Sequence, residues 1–126
     1  MLRSIFSGGA QEAADEERLG QQDQGFVTRL RDIIKNNLSD SDFSIERLGE
    51  EIGLSRVQLY RKVKALTGQT PVELLRKARL VKARRMLEHT DKAVSEIAYE
   101  VGFTSPSYFN KCFKDEFGVS PGALRE

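Results

Sequence analysis

The chain of 126 residues has one cysteine, no tryptophan and a single histidine. A lone Cys112 excludes an internal disulfide and suits a reducing compartment, so a cytoplasmic location is expected. His89 has no cysteine cluster around it, which argues against a structural zinc site. No apolar run approaches the roughly 20 residues of a membrane span, and the opening "MLRSIFSGGA" lacks the apolar core of a secretory signal. Acids are also missing, but only locally. Residues 53–87 carry ten cations against Glu73 alone, whereas residues 1–24 carry five acids against Arg3 and Arg18. A formal net charge of +1 therefore conceals a basic segment with the footprint of a polyanion-binding surface.

No Ser–His–Asp set, paired carboxylate or phosphate-cradling glycine loop is present, so the chain is read as a non-enzyme with no cofactor or metal. Glu50 and Glu51 are adjacent and point to different sides of a helix. Cys112 falls on an apolar stripe with Phe109 and Phe113, which makes it a packed thiol. His89, at a helix end, suits the capping of C-terminal carbonyls.

Strand-like alternation is absent as well, and the remaining pattern is helical throughout. Residues 1–24 read as a flexible acidic linker, followed by one domain over 25–126. Phe26, Val27, Leu30, Ile33, Ile34 and Leu38 give a first amphipathic helix. Ile45, Leu48 and Ile52 mark a second from about Ser44, and Leu59, Val63 and Leu66 a third. A long helix is expected over about 71–89. Two more follow on Val94, Ile97, Ala98 and Val101 and on Phe109, Cys112, Phe113 and Phe117, with a last short turn at Pro121. The fold class is all-α with about seven helices. All three prolines follow a Ser or Thr, at Pro71, Pro106 and Pro121, where a hydroxyl caps and Pro at N1 has no amide to lose. "SRVQ" and "TPVE" have capping-box spacing, and Gly53, Gly68, Gly102 and Gly118 sit where a left-handed residue ends a helix.

The chain repeats itself. Ile45, Leu48, Ile52 and Gly53 fall on Val94, Ile97, Val101 and Gly102, and Leu59, Val63, Gly68 and Pro71 fall on Phe109, Phe113, Gly118 and Pro121. The second set needs one extra residue, placed in the turn between Gly102 and Phe109. Each copy is a short helix, a glycine-containing turn and a second helix, the helix-turn-helix pattern, at about 44–68 and 93–118. On the side of each second helix facing away from the core lie Val57, Tyr60, Arg61 and Lys64, and equivalently Ser107, Asn110, Lys111 and Lys114. These types bond or touch base edges. Solvent exposure alone would explain the lysines but not Val57 and Tyr60.

The run "SIERLGEEIGLSRVQLYRKVKALTGQTPVELLRKARLVKARRML" followed by "VSEIAYEVGFTSPSYFNKCFKDEFGVSP" resembles the DNA-binding domain of AraC/XylS-type transcription regulators, over about residues 26–126. "LYRKVKALTGQTP" is similar to the effector domains that end bacterial hybrid two-component regulators. The resemblance implies two helix-turn-helix units joined by a long linker helix, each placing its second helix in a major groove of double-stranded DNA. It implies a base-facing set of Val57, Tyr60, Arg61, Ser107, Asn110 and Lys111. The second copy departs from the family pattern at Pro106 and Ser107, where longer polar side chains are common. RNA polymerase becomes a candidate second partner, and oligomerisation is expected from domains outside this chain, which reads as a fragment of a larger regulator without membrane contact.

Helix starts supply the phosphate contacts by their hydroxyls, amides and dipole. That set is Ser55, Arg56, Thr70, Thr104, Ser105, Tyr108 and Ser120, with Lys64 and Lys114. A linker helix over 71–89 would be about 27 Å long, against roughly 34 Å between successive major-groove faces, so one chain could address adjacent grooves with some DNA bending. Arg79 has two open readings: a phosphate contact, or a structural cation paired with Glu46 or Glu50. A basic face for an acidic protein partner is the second reading of the whole chain.

Overall fold

In the computed structural model, which describes Phe6 and residues 20–125, seven helices and no strand are found among the described residues. They are α1 (Gln21–Asn36), α2 (Ile45–Ile52), α3 (Arg56–Thr67), α4 (Pro71–His89), α5 (Val94–Glu100), α6 (Pro106–Phe117) and α7 (Pro121–Arg125). The all-α expectation, with two helix-turn-helix motifs and a long helix between them in sequence, holds. Helix α1 opens at Gln21 rather than near Phe26, so residues 21–24 of the expected linker are helical. The polar residues of that first turn carry no apolar period, and Gly20 at the N-cap offers no side-chain bond, so nothing in the pattern announced the start. Phe6, also in the expected linker, is buried. The rest of that stretch, residues 1–5 and 7–19, lies outside the described residues.

The described chain divides into two compact units. Asn37 and the residues before it, with Phe43–Leu75, form the first; Leu38–Asp42 and the residues from Arg76 onward form the second. In the first, Val27, Leu30 and Ile34 of α1, Leu48 and Ile52 of α2, Leu59 and Val63 of α3 and Leu74 of α4 are buried. Polar bonds fix the helices around this core. Ser44 caps α2 by accepting from the Arg47 amide. The Arg29 guanidinium donates to the Glu51 carbonyl at 2.7 Å. Lys62 of α3 sits 4.6 Å above the Phe26 ring and 4.0 Å from Asp23, both on α1. The predicted capping box of α3 is complete, since the Gln58 amide donates to Ser55 Oγ while Gln58 Oε1 accepts from the Ser55 amide. Thr70 and Glu73 make the same reciprocal pair at the start of α4.

The second unit is more aromatic. Its core joins Leu80, Ala83 and Leu87 of α4 to Ile97, Ala98, Val101, Phe103, Phe109, Cys112 and Phe113. A chain of ring contacts runs through Phe103, Phe109, Phe113 and Phe117, with centroids 4.7–5.7 Å apart. Where the first copy uses Leu59 and Val63, the second uses Phe109 and Phe113, and all four are fully buried. Cys112 is buried, as its stripe position implied.

The turns locate the extra residue of the second copy. The Leu54 amide donates to the Gly49 carbonyl at 2.9 Å, and the Phe103 amide donates to the Ala98 carbonyl at 3.0 Å, the same bond shifted by 49 residues. Ser55 and Ser105 are the next N-caps, shifted by 50. Thr104 is therefore the insertion, exposed in the turn where an added residue disturbs least.

Two arginines tie the second unit together. Arg79 donates through Nη2 to the Asp40 carbonyl at 3.0 Å, and burial depresses its guanidinium pKa while the Asp40 charge works the other way. It is thus structural, but its acceptor is a backbone oxygen of the 38–42 segment and not Glu46 or Glu50. Glu46 is taken by Arg56. Arg125 of α7 reaches the carbonyls of Leu87, Thr90 and Lys92, meeting the chain where α4 ends. That task was expected of His89, which is exposed at the last position of α4 and makes no bond among the described residues. Arg125→Ala should cost about 1–2 kcal/mol, because charge-assisted bonds to three carbonyls are lost together. A lower urea midpoint at unchanged slope would register it; an unmoved midpoint would reduce the clamp to a surface contact.

Candidate nucleic-acid interface

Helices α3 and α6 are each buried on one side and bare on the other. Leu59, Val63 and Thr67 bury one side of α3, and Phe109, Cys112 and Phe113 bury one side of α6. The opposite sides carry every residue read as base-facing. Val57 is 59% exposed and Tyr60 49%, and Arg61, Ser107, Asn110 and Lys111 are exposed with them. Two large apolar side chains thus stand in water beside an arginine. Val72, at the second position of α4, joins them: with Tyr60, Ile45 and Arg56 it lines a shallow cleft of about 260 Å³ in the first unit. Its position directly after Pro71 marked it only as a helix start, and an exposed valine cannot be told from a buried one by spacing.

Of the residues read as phosphate-facing, Ser55, Arg56, Thr70, Ser105, Tyr108 and Ser120 sit at helix starts, Thr104 lies in the turn before α6, and Lys64 and Lys114 lie in the last turns of α3 and α6. The groups at the starts are partly committed. Ser55, Ser105, Thr70 and Ser120 use their side-chain oxygens as caps, accepting from the amides of Gln58, Tyr108, Glu73 and Ala123. The amides of Ser55 and Thr70 are not free, being held by Gln58 and Glu73. Each hydroxyl still has its proton to donate, and helix geometry leaves the amides of Arg56, Val57 and Ser107 pointing outward from the first turns. Thr104 and Tyr108 are exposed, as are Lys64 and Lys114. Arg56 is bonded to Glu46 at 2.8 Å, a solvent-exposed pair that is weak and exchangeable.

Half of the basic excess turns out to be internal. Of the ten cations in residues 53–87, Arg56, Lys62, Lys77, Arg79 and Arg84 are engaged with Glu46, Asp23, Glu116, the Asp40 carbonyl and Glu88. Arg61, Lys64, Arg76, Lys82 and Arg85 make no hydrogen bond or ion pair among the described residues. Among those same residues no group of His, Cys, Asp and Glu could hold a metal ion. No described helix is long and apolar enough to cross a membrane.

Comparison with known proteins places this arrangement. Residues 48–126 match the family described as a helix-turn-helix domain. Over 120 residues the chain is 33% identical to histidine kinase P4 of Formosa agariphila, covering 95% of this chain but only 9% of that protein. It is similar to the C-terminal domain of AraT, a response regulator from Geobacillus stearothermophilus, with a TM-score of 0.75 and 36% identity over 86% of each chain. It is similar, too, to the DNA-binding domain of the global transcriptional factor AdpA, solved in complex with a target DNA. That match has a TM-score of 0.70 and 32% identity, over 77% of this chain and 89% of that one.

Proposed function

The chain belongs to the AraC/XylS-type helix-turn-helix family, and we propose that it binds double-stranded DNA sequence-specifically as the output domain of a bacterial transcription regulator. In this reading residues 25–126 form the DNA-binding domain, and α3 and α6 enter adjacent major-groove segments. One observation carries it: Val57 and Tyr60 stand exposed beside the unpaired Arg61 on a helix whose other face buries Leu59, Val63 and Thr67. An apolar pair is stable there when it meets thymine methyls and sugar edges, while the guanidinium bonds guanine O6 and N7. Asn110 suits adenine and Lys111 guanine in the second unit. Ser55, Arg56, Lys64, Thr70, Thr104, Ser105, Tyr108, Lys114 and Ser120 fix register on the phosphates and carry no sequence information.

The family is one of DNA-binding regulator domains and not of enzymes. A cytoplasmic setting, contact with RNA polymerase and oligomerisation through further domains follow from the regulator reading and belong to the proposal. Selection of preferred duplexes from a random pool tests it directly. Arg61→Ala should then weaken binding to the selected duplex by about 10- to 100-fold, the worth of one bidentate base contact, and weaken a random duplex far less. Equal loss on both would make Arg61 a phosphate contact. Failure to bind any duplex would leave the acidic-protein partner as the better reading.

A further inference from the structure

A cleft of about 290 Å³ opens beside α6 in the second unit. Arg76 lines it from α4, and Tyr108, Lys111, Asp115 and Glu116 line it from α6. The charges here are not self-compensating. Glu116 is already neutralised by Lys77 of α4. Arg76, Lys111 and Asp115 make no ion pair among the described residues, which leaves two free cations facing one free carboxylate. Beside Leu80 and Cys112 the lining presents phenol, guanidinium and ammonium donors, so a metal cation is poorly matched.

We propose that this cleft seats one phosphate of the DNA strand bordering the groove that α6 enters, with Arg76 as its principal ligand. The inference rests on the DNA-binding reading. Lys111 and Tyr108 already belong to the outward face of α6, so a duplex meeting that face brings its backbone to the same edge. Arg76 approaches from another helix and closes the site. Its planar fork can hold two phosphate oxygens at once, while Lys111 adds positive potential beside it and keeps its donors for a base edge. Asp115 holds the net local charge to a single positive unit, which suits a phosphodiester and penalises tighter, indiscriminate retention.

The test uses the whole chain with two duplexes of equal length, one selected for tight binding and one random, across a salt series. Losing one phosphate contact should lower the log–log salt slope by about 0.9, so between 50 and 200 mM salt Arg76→Ala should lose about 3.5-fold less affinity than the wild type. The change should be the same on both duplexes. Arg76→Lys should keep most of the slope, and Asp115→Asn should tighten binding about twofold by removing a like charge from the phosphate's path. Should Arg76→Ala prove poorly folded by circular dichroism, the Lys and Asn variants carry the test. A wild-type slope in Arg76→Ala, a loss confined to the selected duplex, or weaker binding by Asp115→Asn each overturns the proposal. Those outcomes presuppose that the wild type binds DNA; if it does not, the functional reading fails first and separately.

Discussion

Gly102→Ala should destabilise the second unit by about 2–5 kcal/mol, a large part of the margin a small domain holds. The residue has φ +95°, where a side chain is disfavoured by itself. An added Cβ would also collide with the carbonyl oxygen of Leu38 and come within 2.8 Å of Arg79 Nε. Neither neighbour can yield cheaply. Leu38 is buried and its oxygen is backbone, and the Arg79 guanidinium is held by the Asp40 carbonyl. The repeat supplies an internal control. Gly53, the counterpart of Gly102 in the first copy, has φ +82° but open space around its Cβ. Gly53→Ala should therefore show the left-handed cost alone, about 1 kcal/mol. Urea unfolding of the two variants isolates the difference, which belongs to the packing of the 38–42 segment on Gly102. Equal costs would mean that this packing contributes nothing.

The contrast between those two glycines shows what the sequence could reveal. Caps, prolines and glycines act through neighbours within a few residues, so Ser55–Gln58, Thr70–Glu73 and the left-handed glycines were readable from spacing. Exposure of Val57 and Tyr60 was readable because the opposite face of α3 had a clear apolar period. Partners distant in sequence were not. Nothing around Arg79 points to a carbonyl 39 residues earlier, nor anything around Arg125 to the end of α4. The grouping of Leu38–Asp42 with the second unit is equally invisible, because that segment reads as a polar break after α1 whichever core its leucine joins. Charge was the most misleading quantity. A count along residues 53–87 treats Lys77 and Arg61 alike, although one is neutralised by Glu116 and the other is bare.

That distinction governs the salt dependence of binding. Raising monovalent salt from 50 to 200 mM should weaken DNA affinity by about 150-fold. The free cations assigned to phosphates in the two units are Lys64, Arg76 and Lys114, and Arg56 joins them by exchanging its exposed pair with Glu46 for a phosphate; Arg61 and Lys111 are assigned to base edges. About four neutralised phosphates, each releasing condensed counterions, give a log–log slope near −3.6, and a fourfold rise in salt then yields a loss of about 150-fold. If all ten cations of residues 53–87 were free to engage, the slope would be near −9 and the loss above about a hundred thousandfold. The engaged Lys77 and Arg79 argue against that value, because freeing Lys77 would expose Glu116 to the same phosphates and freeing Arg79 would break its bond to the Asp40 carbonyl. Fluorescence anisotropy on a single duplex across the salt series measures the slope directly. A slope shallower than about −2 would point away from a polyelectrolyte altogether, since an acidic protein carries no condensed counterion layer to release, and the basic face would then be fitted to a protein partner.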